Sequence, residues 1–372
     1  MNVAFFCSTP YQILLALNIK RNLVDCNADI YIFDHFMSSN DVLNNLISSH
    51  IFDNCYFINI ICTFSKFSII RYFEKTLKFF TYKIQLKKIG YDMNKSYDRV
   101  YLTYPHIIIQ YFLIHCFILN KNITVHIFED GTGGYIDVFF RTTLFKKFIR
   151  LLIPRFRILD TYHEILLHKT EMFSGNQKIR VTNLPIFDKN DYNFIKQLNT
   201  IFNYNSIDDR INERFIFFEQ AFMNDKQTSV LIAQVASIIY DVIGKYDFIV
   251  KIHPRSFTNI YNDYNNYHKN SVPWELILLN EDVENKVLIT YFSTAVFTPK
   301  LIFDIEPYII LLFELEELAN CSSFSEYYRI FANMLKEISR DSDHIYIPQN
   351  IEDLKIRLVR FLTKTNNQSS NN

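Results

Sequence analysis

The sequence predicts an α/β fold of two Rossmann-like domains facing across a cleft, and three observations carry that prediction. Short runs of β-branched and aromatic residues alternate with segments of helical periodicity, which is the pattern of a mostly parallel sheet covered on both faces. The alternation comes as two series of similar length, parted by the polar run Asn203 to Glu213. At 372 residues the chain exceeds the length at which one core stops growing, and its 49% apolar content is enough for two.

The first series is assigned to residues 1–205. Val3 to Cys7 reads as a buried strand, after which Ser8-Thr9-Pro10-Tyr11-Gln12 opens a helix. Thr9 fits the N-cap, Pro10 the first helical position and Gln12 the returning side chain of a capping box, with Ile13, Leu14, Ala16, Leu17 and Ile19 as the apolar stripe. Strands are expected at Asp29 to Phe33, Cys55 to Ile58, Arg99 to Thr103 and Thr124 to Phe128. Helices are expected at Asp41 to Ile51, Ser68 to Lys87 and His106 to Leu119. Past Arg157 the pattern loosens, leaving an extended edge at Val181 to Asp188 and a helix around Asn190 to Leu198.

The second series is assigned to residues 206–365, with strands at Arg214 to Phe218, Tyr246 to Ile252, Lys286 to Tyr291, Tyr308 to Phe313 and Ile345 to Ile347. Helices fall at Gln227 to Ile243, Thr294 to Phe303, Ser325 to Ile338 and Ile351 to Leu362. The polar end from Thr363, and residues 366–372 in particular, reads as a disordered tail.

Composition excludes several functions. Basic and acidic residues balance at 39 each, so no global field would hold a nucleic acid. The six cysteines are scattered without a Cys-x-x-Cys pair, the usage of a reducing compartment, and no zinc site is legible. The first apolar run is too short for a signal peptide, and no stretch approaches the roughly 20 residues that span a bilayer. A cytoplasmic protein is expected. Two basic, aromatic segments, Phe64 to Lys88 and Phe139 to Arg157, are the candidates for peripheral contact with an anionic membrane, although solvated helix surface more often explains such patches.

Chemistry concentrates at strand ends. Three of the six glycines fall in Glu129-Asp130-Gly131-Thr132-Gly133-Gly134, directly after the strand Thr124 to Phe128. Such a turn needs positive φ or close backbone approach, and the carboxyl edge of a parallel sheet is where ligands bind. Glu129 and Asp130 are therefore candidate acid/base groups, with Gly131, Thr132 and Gly133 beside the substrate and the helix cap Ser8, Thr9 and Gln12 at the same edge. A tight turn carrying solvated acids is the plainer alternative.

In the second series, Lys251-Ile252-His253-Pro254-Arg255 ends a strand. His253 offers an imidazole to a phosphate oxygen or a leaving group, Pro254 stiffens the turn, and Lys251 and Arg255 add positive charge. Ser293 and Thr294 follow the strand ending at Tyr291 and would sit at a helix N-terminus, as an anion site or as an ordinary cap. Carboxylates in one half and phosphate-binding groups in the other are what glycosyl transfer from a nucleotide sugar requires. No Asp-x-Asp is placed to hold a metal between two phosphates, so a metal-free reaction with a monophosphate leaving group fits best.

Five segments together resemble the ordered motifs of glycosyltransferase family 52. They are Cys7 to Gln12, Phe128 to Gly133, Leu184 to Asp188, His253 to Arg255 and Tyr291 to Ala295. The similarity runs over most of the chain as spaced motifs rather than close identity. It implies a GT-B arrangement and an inverting, metal-independent sialyltransferase without cofactor. The donor would be CMP-sialic acid and the acceptor a terminal galactose of a bacterial lipooligosaccharide or capsule. His253 would contact the CMP phosphate and help it leave, and Ser293 and Thr294 would bind the same phosphate. Some members of that family supply a catalytic carboxylate from the loop after the first strand of the second domain. The matching stretch here, Gln220 to Asp225, is apolar at that position, with Asp225 a few residues on. The base is thus Asp225 or one of the Glu129/Asp130 pair. Another nucleotide sugar as donor, or a protein that only binds a nucleotide or glycan, are the alternatives.

Overall fold

The computed structural model describes residues 1–59, 81–103, 107–135, 158–159, 161–175, 179–220, 226–254, 260–261, 264, 266–267, 271–318 and 325–369. Asp225, Arg255, His106, Cys62 and Cys321 lie outside them, as do the basic segment 139–157 and residues 64–80 of the other one.

The first seven strands are β1 (Asn2–Cys7), β2 (Asn27–Phe33), β3 (Asn54–Ile58), β4 (Arg99–Leu102), β5 (Thr124–Phe128), β6 (Glu164–Leu167) and β7 (Arg180–Asn183). They form one parallel sheet in the order β3-β2-β1-β4-β5-β6-β7. Helices α1 (Pro10–Arg21), α2 (Ser39–Ser49), α3 (Tyr82–Lys88) and α4 (Ile107–Leu119) lie between these strands, and α5 (Tyr192–Ile201) follows the last. The core is built of Ile, Leu and Val with many aromatic residues among them, because β-branched and ring side chains suit a pleated surface buried on both faces. Phe6, Tyr31 and Tyr56 stack in turn across β1, β2 and β3 at 4.8 and 4.7 Å, and Phe112 of α4 meets Phe6 edge-on at 4.5 Å. Buried Asp29 is tolerated there because Lys95, the Tyr97 hydroxyl and the Asn54 carboxamide surround it.

The remaining strands repeat the plan. They are β8 (Phe215–Phe218), β9 (Phe248–Lys251), β10 (Asn266–Tyr267), β11 (Val287–Thr290), β12 (Tyr308–Leu311) and β13 (Ile345–Tyr346), again all parallel, in the order β10-β9-β8-β11-β12-β13. The helices are α6 (Lys226–Ile243), α7 (Trp274–Asn280), α8 (Thr298–Phe303, after a 3₁₀ turn at Thr294–Phe297), α9 (Ser325–Ile338) and α10 (Ile351–Ser369). In both sheets the strand order reverses beside the first strand, between β1 and β4 and between β8 and β11. The protein therefore consists of two Rossmann-like α/β units.

The boundary is less simple than a single cut at 205. Residues Met1–Asp188 and Lys196–Asn203 form one unit, and Lys189–Ile195 with Tyr204–Asn372 the other. Asn45 on α2 ties the end of α5 to the first unit, its carboxamide donating to the carbonyls of Thr200 at 3.3 Å and Ile201 at 3.0 Å. Tyr204 starts the second unit, its hydroxyl donating to Glu281 at 2.9 Å. Among the described strands and α-helices, β6, the two-residue β10 and α7 were not expected. The expected disordered tail is helical through Ser369. Among the described residues, no helix is long and apolar enough to cross a membrane.

Candidate active site

At the carboxyl edge of the first sheet, α1 and the turn after β5 are fastened together by one buried acid. Thr9 caps α1, its hydroxyl accepting the Gln12 N–H at 3.2 Å, and Pro10 fills the first turn. The Gln12 side chain returns to the Ser8 N–H at 2.6 Å, one residue before the cap, so it closes the turn without forming the expected box. Tyr11 then points its hydroxyl at Glu129, 3.2 Å away on the far side of β4.

Glu129 is 1% exposed. Besides Tyr11, it accepts from the Tyr135 hydroxyl at 2.5 Å and from the His168 N–H, just past β6, at 3.0 Å. Burial pushes its pKa up to about 7, while these three donors favour the charged form and limit the rise. Glycine suits position 131, where φ is +70°, and at 134 a Cβ would sit tightly, 3.1 Å from the Leu167 side chain. Thr132 is buried and its carbonyl accepts the Tyr135 N–H at 3.2 Å, whereas Gly133 is half-buried.

Asp130 is different: it is exposed. Burial and then the Asp130 charge push the Cys7 thiol well up, which puts the carboxylate near the end of β1 as well as at the end of β5. The two acids that looked interchangeable in sequence thus have separate parts. Glu129 has both oxygens engaged beneath the surface.

This division has a measurable consequence. The folded protein holds the Glu129 proton more tightly than the unfolded chain, so its stabilisation is complete below about pH 4.5 and is lost as pH rises through about 7. The shift corresponds to about 3 kcal/mol. In Glu129→Gln the group is neutral throughout. The variant's melting temperature relative to wild type should therefore rise by roughly 5–10 °C from about pH 5 to about pH 8. A pH-independent difference in calorimetry would refute this.

In the second unit the strand ends are furnished otherwise. His253 and Pro254 are half-buried after β9, and the His253 N–H donates to Glu219, the first residue past β8, at 2.8 Å. Lys251, expected to add positive charge for a phosphate, is buried. It is 7% exposed, its ammonium donates to the Val272 carbonyl at 3.4 Å and lies 4.8 Å from the Tyr267 ring, and burial lowers its pKa to about 8. Ser293 is a cap in fact: its hydroxyl accepts the Ala295 N–H at 3.3 Å and its own N–H donates to Thr290 at 2.9 Å. Thr294 beside it is half-buried. The Tyr328 hydroxyl steadies the turn by donating to the Ser293 carbonyl at 2.7 Å.

No family model matches the chain, and no curated protein does. Solved structures of similar fold include the S. aureus MnaA–UDP co-structure, at 10% identity and TM-score 0.46 over 92% of this chain and 85% of that one. Spinosyn rhamnosyltransferase SpnG gives 11% and 0.46 over 98% and 96%. Spinosyn forosaminyltransferase SpnP gives 10% and 0.45 over 98% and 95%. These likenesses are too distant to bear on chemistry, which rests on this chain's own residues.

Two groups at these edges escaped the sequence reading, Glu219 and the Tyr11/Tyr135/His168 set around Glu129. The one signal for Glu219 was its place immediately after a buried strand, which it shares with Glu129. Among the described residues, no three His, Cys, Asp or Glu side chains are grouped to hold a metal ion.

Proposed function

We propose that this chain is a glycosyltransferase using a nucleotide-sugar donor, its two Rossmann-like units being the halves of a GT-B enzyme. One observation carries the reading: each unit ends its sheet with one accessible group the reaction needs, backed by a buried glutamate. In the first unit the group is the Asp130 carboxylate above Glu129, and in the second it is the His253 imidazole beside Glu219. Asp130 takes the proton of the acceptor hydroxyl as its oxygen bonds to the anomeric carbon. The bond from that carbon to the phosphate oxygen breaks, and His253 donates to the departing phosphate together with the Ser293 and Thr294 hydroxyls. Attack opposite the leaving group inverts the anomeric centre.

The motif set favours CMP-sialic acid as donor and a terminal galactose of a lipooligosaccharide or capsule as acceptor, with the reaction on the cytoplasmic side of the membrane. A uridine or thymidine diphosphate sugar is the second reading, since no residue described at these edges distinguishes the bases. Purified protein offered CMP-sialic acid, UDP-glucose and UDP-galactose in parallel should hydrolyse or transfer only the first. Turnover of a UDP-sugar alone would select the second reading, and turnover of none would dismiss the enzyme.

Metal dependence gives a further check. Activity should survive EDTA, since a monophosphate leaving group needs no bridging cation. A strict requirement for Mg²⁺ or Mn²⁺ would point to a diphosphate donor.

A further inference from the structure

Glu219 follows β8, the first strand of the second sheet, where the strand order reverses. It is 4% exposed and exchanges two hydrogen bonds with the segment carrying His253. Its own N–H donates to the Lys251 carbonyl at 3.1 Å, and its Oε2 accepts the His253 N–H at 2.8 Å. The second bond lies where the β9 ladder has ended. Pro254, the next residue, has no N–H to anchor the turn and confines His253 to extended backbone angles. The peptide between Ile252 and His253 is thus held from below by Glu219 and limited from above by proline. Any tilt of that peptide plane would swing the imidazole.

We infer that Glu219 is a positioning residue for His253, acting through the peptide N–H rather than on substrate. This rests on the reading of His253 as donor to the leaving phosphate. Two variants of the full chain separate the bond from the charge. Glu219→Asp keeps the charge but is one methylene short of the His253 N–H. Glu219→Gln loses the charge but keeps an acceptor oxygen at the same reach.

With CMP-sialic acid as probe, or the donor selected by the panel, Glu219→Asp should lower kcat by on the order of 10–10²-fold, the cost of a misplaced group, with KM within about threefold. Its His253 amide should exchange with deuterium at least about tenfold faster. Glu219→Gln should stay within about threefold of wild type in both measurements, and thermal midpoints should confirm that both fold. Two results overturn the inference. One is a Glu219→Asp enzyme with wild-type kcat despite the exposed amide. The other is a Glu219→Gln enzyme as impaired as Glu219→Asp, which would make the charge itself the active feature. Failure of the transferase reading looks different: wild type turns over no donor, while the amide exchange still responds to Glu219→Asp.

Discussion

Asp130→Asn should abolish glycosyl transfer while folding and nucleotide binding persist. Asparagine has the shape of the acid but cannot accept the acceptor's proton, and loss of a general base costs on the order of 10²–10⁴ in rate. The side chain is exposed, so substitution should alter stability by no more than about 0.5 kcal/mol. Glu129→Gln is the informative neighbour, because it alters the pH dependence of stability without removing the exposed carboxylate. Asp225→Asn should be the milder variant in steady-state assays. Were Asp225→Asn inactive and Asp130→Asn fully active, the base would come from the second unit and the assignment would fall.

The other large effect belongs to His253→Ala, which should cut turnover by on the order of 10²–10⁴ with little change in melting temperature. The bond that holds this turn is made by the backbone N–H, which alanine retains, so the Glu219 contact survives the substitution. Unfolding of the variant, or wild-type turnover, would make the histidine structural. The double variant with Glu219→Asp should be no slower than His253→Ala alone, since positioning has no effect once the ring is gone.

Much of the fold was legible because its strands are short, intensely apolar and punctuated by polar turns. Thr124–Phe128 and Ser325–Ile338 have the boundaries their patterns predict. The elements that escaped had little pattern to show. β6 offers Glu164-Ile-Leu-Leu167 between polar neighbours, β10 is two residues long, and α7 is a single apolar stretch behind Pro273. At the site, sequence could mark Glu129 and Asp130 but could not rank them, because burial of one is decided by Tyr11 and by His168, 118 and 39 residues away. The burial of Lys251 was not legible for a related reason: a lysine ending a strand is as able to pack against its neighbours as to face solvent.

The repeated glutamate solves one local problem at two different strand ends. Both units share a strand order, which invites the idea of an old duplication, yet the two acids do not occupy equivalent strands. Glu129 follows β5 and reaches across to β6, whereas Glu219 follows β8 and reaches across to β9, on the other side of the reversal. The equivalent place in the first unit, after β1, is filled by Ser8. The two placements answer the same local need: where a parallel ladder stops, the next N–H on the neighbouring strand has lost its carbonyl, and a buried carboxylate can take it.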